Sequence, residues 1–139
     1  DRPINVLGDP IDQLSSKPNF SVLVSPVITM KGDHVHQGSM DNLLGKVADE
    51  SQKELFSLQT QVTARTPPTF LVHAQNDRTV SVENSLLYYQ ALLANNITAS
   101  LHIFPQGGHA IALVNNPGST ATWSSILTAW LHEIKMIKP

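Results

Sequence analysis

Between Pro67 and Val80 the chain reads P-P-T-F-L-V-H-A-Q-N-D-R-T-V, and this stretch constrains the fold more than any other. Two consecutive prolines end whatever precedes them and push Thr66 toward extended backbone. Thr69, Phe70, Leu71 and Val72 then form a short β-branched and aromatic run, the composition of a buried strand. Polar, turn-forming side chains gather at Gln75, Asn76 and Asp77, and a helical pattern follows from about Val82. Strand, short polar loop and helix make the first half of a βαβ unit. In such units ligands and catalytic groups sit at the carboxyl ends of the strands, and Asp77 occupies that place.

The rest of the chain repeats the alternation. Phe20 to Ile28, F-S-V-L-V-S-P-V-I, reads as a strand whose consecutive Val22, Leu23 and Val24 suit burial on both faces. Pro26 ends its regular ladder. In the excursion from Thr29 to Thr66, Ser39 is the expected N-cap of a short helix over Met40 to Leu44, stopped by Gly45. A second helix is expected from about Glu50 to Leu58, with Leu55 and Leu58 at helical spacing. Leu86, Tyr89, Leu92 and Leu93 mark an amphipathic helix that stops near Asn95-Asn96. Ala99 to Phe104 is a third strand, followed by Pro105-Gln106-Gly107-Gly108-His109. Asn115 to Ser119 forms a turn cluster, and residues 1–19 read as surface connection. Trp123, Ile126, Leu127, Trp130, Leu131 and Ile134 fall on one stripe of a last helix. This order predicts an α/β fold with a parallel sheet and right-handed crossovers, although three strands are few for such a sheet.

Composition removes several functions. A length of 139 residues suits one domain with a real core, and 41% apolar with 14% charged residues is a globular balance. A net charge of −2 without a Lys/Arg cluster argues against a nucleic-acid face. With no cysteine, neither a disulfide framework nor a thiolate zinc site can form. No apolar run approaches the roughly 18 residues of a membrane span, so neither nucleic acid nor membrane is an expected partner. The start at Asp1-Arg2-Pro3, without methionine or signal-peptide pattern, suggests a processed or truncated chain.

A carboxylate that orients and charges a histidine is two thirds of a nucleophilic triad. Asp77 and His109 both follow strands on the same edge of a parallel sheet, so their side chains are expected to meet. Acid before histidine is the chain order of α/β-hydrolases, in which the serine comes first. Gly107-Gly108 is expected to let the backbone turn tightly before His109 and to keep bulk away from its ring. Taken singly, Asp77 reads as a turn or cap residue and His109 as a loop histidine; their joint placement favours chemistry. No G-x-S-x-G and no H-G-G-type oxyanion loop occurs. Ser25, Ser39 and Ser81 lie near the right edge of the sheet, but none has the strand-turn-helix setting of a nucleophile. This chain alone is therefore not a complete serine hydrolase. Asp33, His34 and His36 in D-H-V-H invite a metal reading, but ligands of mixed strength with no second pair read better as a polar loop. His73 reads as a hydrogen-bonded core histidine, His102 and His132 as ordinary, and Trp123 and Trp130 as core rather than a carbohydrate platform.

Several phrases together carry a family resemblance: P-V-I-T-M at 26–30, H-Q-G-S at 36–39, N-L-L-G at 42–45, T-P-P-T-F-L-V-H-A-Q-N-D-R-T-V at 66–80, V-E-N-S-L-L-Y-Y-Q-A-L at 82–92 and G-G-H at 107–109. Over about residues 10–135 the chain resembles the bacterial acetyl-xylan-esterase-like carboxylesterases of the α/β-hydrolase superfamily. The resemblance implies a partial α/β-hydrolase fold, three-layer αβα with a parallel sheet, of which residues 1–139 are the C-terminal half. It implies ester hydrolysis by a Ser-Asp-His triad, with Asp77 as acid, His109 as base, and Met30 and Val80 as substrate-contacting residues. No metal or cofactor is implied. The implied partners are an acetylated carbohydrate or other small ester, and the missing N-terminal half, or a second copy, along the 20–28 strand edge. The compartment is open from the residues themselves, and the resemblance favours a secreted or periplasmic protein. Such proteins often have Asp-Asp where Asn76-Asp77 stands here, which leaves Asp77 as the acid, and Pro where Ser81 stands. A peptidase or lipase of the same superfamily, or a half-domain that only binds, are the other readings.

Overall fold

The computed structural model describes residues 10–112, 114 and 116–138. Three strands, β1 (Ser21–Val24), β2 (Thr69–Ala74) and β3 (Ala99–Phe104), form a parallel sheet in the order β1-β2-β3. Ser21 to Val24 pair with Thr69 to Val72, and Thr69 to Ala74 pair with Ala99 to Phe104. The central strand is the one framed by Pro67-Pro68, and all its residues are buried. The expected strand over 20–28 is shorter than its apolar run. Its ladder stops at Ser25, whose backbone turns to φ +44, one residue before Pro26.

Alternation along β2 sends its two sets of side chains to opposite faces. Phe70, Val72 and Ala74 form one core with Phe104, Ile111 and Trp130, covered by the apolar stripe of α4 (Trp123–Glu133). Phe70 and Trp130 rings pack at 5.6 Å between centroids, and Trp130 meets the edge of Phe20 at 6.3 Å. Trp130 is thus a core residue, and Trp123, partly buried, packs against the same core. Truncating a buried aromatic of this kind to alanine costs about 3–5 kcal/mol. On the other face Leu71 packs with Leu92 and Val62 beneath α3 (Glu83–Ala94). The result is three layers, αβα, with β2 in the middle of all of them.

The helix readings need correction in detail. α3 turns Asn84, Ser85 and Leu92 inward, whereas Leu93 is exposed, so its buried face is partly polar. The first helix, α1, spans Gln37–Leu44, three residues earlier than expected. His36 rather than Ser39 caps it: the imidazole Nδ1 accepts the Ser39 N–H at 3.3 Å and lies 2.8 Å from the Ser39 hydroxyl. α2 spans Glu50–Phe56, started by a capping box between Asp49 and Gln52. It ends before Leu58 because Ser57 leaves the helix to bond the Met30 N–H through Oγ at 3.0 Å. Leu55 and Leu58 are accordingly exposed, at 59% and 45%, and form no core stripe. Residues 1–9 of the expected N-terminal connection and Asn115 of the turn cluster lie outside the described residues. No helix among the described residues is long and apolar enough to cross a membrane.

Candidate active site

Asp77 and His109 meet at the carboxyl end of the sheet. The chain leaves β2 through a turn closed by Asp77 N–H to Ala74 O at 3.1 Å. Asp77 Oδ1 accepts the N–H groups of Thr79 and Val80 at 2.9 and 3.0 Å, an Asx-type cap on the following turn. Its Oδ2 stands 2.9 Å from His109 Nδ1. The cap reading and the chemical reading of Asp77 are therefore satisfied by different oxygens of one carboxylate.

Burial by itself would raise the Asp77 carboxyl. The N–H of Val80, the His109 imidazole and the N–H of Thr79 outweigh it and hold the group below the ordinary carboxylate value. An ionised carboxylate can only accept, so the proton between Oδ2 and the ring belongs to His109 Nδ1. Nε2 of His109 is then the basic nitrogen. The Asp77 side chain is fully buried while 46% of the His109 side chain is exposed, so the charge sits inside and the base faces outward. Among the described residues no hydroxyl is hydrogen-bonded to that Nε2.

Three devices aim the histidine. Gly107 and Gly108 take φ of +140 and +57, conformations costly for other residues, and His109 follows in a 3₁₀ turn over Gly108–Ala110. A Cβ at Gly108 would meet nothing within 4 Å, so backbone freedom, not room beside the ring, explains that glycine. Asn76 Oδ1 accepts the Gly108 N–H at 2.9 Å, and buried Thr120 donates its hydroxyl to Gln106 O at 2.7 Å. Neither Asn76 nor Thr120 stands out in the sequence as more than a turn residue. Asn84 is a third residue of this kind. Its Oδ1 accepts the N–H groups of Ile28 and Thr29, and its amide donates to His34 O and Ser81 O. It fixes the loop after β1 from inside α3.

Met30 and Val80 have different settings. Met30 lines a cavity of about 240 Å³ with Lys31, Gly32, Val35, Gln37, Met40, Glu50 and Lys53. Val80 is buried, 1% exposed, and what it offers the site is main chain: its N–H to Asp77 and its carbonyl to His73. Of the serines, Ser39 lies in α1 and Ser81 precedes α3. Ser25 ends β1 with Oγ buried and without a partner among the described residues, but no helix follows it directly. His34 and His36 serve the loop and the α1 cap, and no group of three or more metal-capable side chains clusters among the described residues.

Comparison with known proteins gives the family and the fold. The prolyl oligopeptidase family profile matches residues 20–136. The chain belongs to that family. Its α/β-hydrolase architecture is shared with an acetyl ester-xyloside bifunctional hydrolase from Caldicellulosiruptor lactoaceticus. That structure superposes with a TM-score of 0.88 at 36% identity, over 94% of this chain and 47% of that one. This prolyl oligopeptidase-family chain is also 38% identical over 97 residues to an acetylxylan esterase of Xylanibacter ruminicola, covering 67% of this chain and 20% of that protein. It is 36% identical over 103 residues to endo-1,4-beta-xylanase B of Butyrivibrio fibrisolvens, covering 74% of this chain and 16% of that protein. The chain thus spans about half of the solved relative and a fifth or less of the curated ones.

Proposed function

We propose that this chain supplies the acid and the base of a carboxylic ester hydrolase that deacetylates xylan or acetylated oligosaccharides through a Ser-Asp-His triad. The observation that carries the reading is the 2.9 Å bond from His109 Nδ1 to the buried Asp77 carboxylate, with the rest of the ring exposed. His109 Nε2 takes the serine proton as the oxygen attacks the ester carbonyl, then returns it to the leaving alcohol. Asp77 holds the tautomer and stabilises the imidazolium. The serine and its oxyanion donors come from outside these 139 residues, which form the C-terminal portion of the domain. Met30 is the proposed substrate contact, on a cavity whose lining includes neither Asp77 nor His109, while buried Val80 reaches the site through its main chain and not as a side-chain substrate contact. The acetyl substrate is taken from two similar proteins, an acetylxylan esterase and an acetyl ester-xyloside hydrolase.

The experiment is hydrolysis of p-nitrophenyl acetate and acetylated xylan by the full protein and its His109→Ala variant. Turnover by the wild type, lost in the variant, supports the reading; a protein that binds xylan without hydrolysing either ester overturns it. The family's name favours a second reading, a peptidase of the same architecture. A peptide substrate and a long-chain ester run beside the acetyl esters separate peptidase and lipase from deacetylase.

A further inference from the structure

We propose that His73 is a positioning residue of this site, its Nε2–H donated to Asp77 Oδ2 so that the carboxylate orienting His109 is held from behind. The inference rests on the triad reading of Asp77 and His109. Alternation along β2 puts His73 on the α3 side of the sheet, where it is fully buried. Its Nε2 lies 3.1 Å from Val80 O and 3.3 Å from Asp77 Oδ2. Both neighbours are acceptors, so Nε2 must carry the hydrogen: it is hydrogen-bonded to Val80 O and faces Asp77 Oδ2 as a longer, second contact. Nδ1, 2.8 Å from Ser85 Oγ, is then an acceptor, and the Ser85 hydroxyl donates to it.

The arrangement forms a line: Ser85 on α3, His73 on β2, Asp77 in the loop, His109 in the next loop. A core histidine needing only satisfaction would be satisfied by Ser85 and Val80. The third contact places it on the same oxygen that His109 uses. Asp77 Oδ1 accepts from Thr79 and Val80, and its Oδ2 bonds His109 at 2.9 Å with His73 Nε2 behind it at 3.3 Å. Such a carboxylate cannot rotate without breaking a bond. Sharing Oδ2 also moderates its pull on the His109 proton. Asp77, His73 and His109 are the titratable groups that meet here, and burial favours the neutral form of His73 against the pull of Val80 O and Asp77.

The test uses the full protein labelled with ¹⁵N-histidine. His73 is expected as the neutral Nε2–H tautomer in the substrate-free protein, and an Nδ1–H tautomer overturns the inference. His73→Leu keeps bulk but removes the donor. Turnover is expected to fall about tenfold to a hundredfold with KM nearly unchanged, since a misplaced catalytic group costs on this order. The His109 Nδ1–H resonance is expected to move downfield as Oδ2 loses its second donor. His73→Gln, whose amide can reach the same oxygen, is expected to restore both. A His109 resonance unmoved in the leucine variant, or equal losses in the two variants, overturns the inference. Should the leucine variant fail to fold, the wild-type tautomer and the glutamine variant decide. The tautomer and the resonance need no substrate, so a wild type inert toward esters sinks the functional reading separately.

Discussion

Asn76 Oδ1 accepts the main-chain N–H of Gly108 at 2.9 Å, a bond across 32 residues of chain that ties the loop of the acid to the loop of the base. The two glycines before His109 make its backbone easy to bend, and this bond selects one of the bends. Its loss is expected to let the Gly108–Ala110 turn sample other positions. A bond worth about 1 kcal/mol corresponds to roughly fivefold in the population of the aligned loop. Asn76→Ala should therefore lower turnover about fivefold, whereas Asn76→Asp keeps the acceptor and stays near wild type. Kinetics of the pair on p-nitrophenyl acetate check this; equal activity of all three proteins would mean that Asn76 does not place His109.

Asp77→Asn separates the two jobs of the carboxylate. The amide oxygen can still accept from Thr79 and Val80, so the turn should survive, and circular dichroism should be unchanged. The amide nitrogen, however, would face His109 Nδ1 with hydrogens and favour the wrong tautomer. Turnover is expected to fall by about 10⁴, as for the same exchange in serine proteases. Near-normal turnover in that variant would remove Asp77 from the mechanism.

Protonation sets the direction of acid destabilisation. Burial holds His73 below the ordinary 6.5 and does the same to His102. The unfolded chain therefore takes up these protons first, and stability present above about pH 6.5 is lost as pH falls toward the folded values. Asp77 is held below 3.8, so its contribution is complete above about pH 4 and is lost as pH falls through its depressed folded value. The melting temperature should begin to decline below about pH 6.5 and fall again below about pH 4. In His73→Gln the upper decline should be shallower. A melting temperature flat from pH 7 to pH 5 contradicts this account of His73.

What was legible in the sequence followed from strong local signals. Pro67-Pro68 and the run after them place β2, and the six-residue stripe of α4 appears on the core where periodicity puts it. The Asp77–His109 contact was legible because parallel strands deliver their loops to one edge. What was not legible depends on polar side chains used over long range. Asn84 sits inside α3 with the look of a poor helix former, yet its three bonds to the distant main chain of Ile28, Thr29 and His34 are why it is there. His36 as a cap was hidden because Ser39 is the commoner capping residue. Leu55 and Leu58 misled because Ser57, needed by Met30 N–H, breaks the helix between them.

The remaining prediction concerns β1. Ser21 N–H bonds Pro68 O and Ser25 N–H bonds Val72 O, so the odd residues of this strand face β2. Strand alternation then turns the N–H and C=O groups of Val22 and Val24 away from β2. Among the described residues nothing pairs with that side. Bare edges normally carry charge or a covering element, yet this strand reads S-V-L-V and its residues are half-buried. The proposed occupant is a strand of the rest of the hydrolase domain, the part that brings the serine, since the chain spans 47% of its solved relative. Amide hydrogen exchange in the full protein should then show Val22 and Val24 protected like Leu71 of β2. If both exchange freely, the edge is open and the reading of this chain as one part of a larger hydrolase domain fails. Protection that disappears on dilution would instead assign the edge to a second copy of this chain.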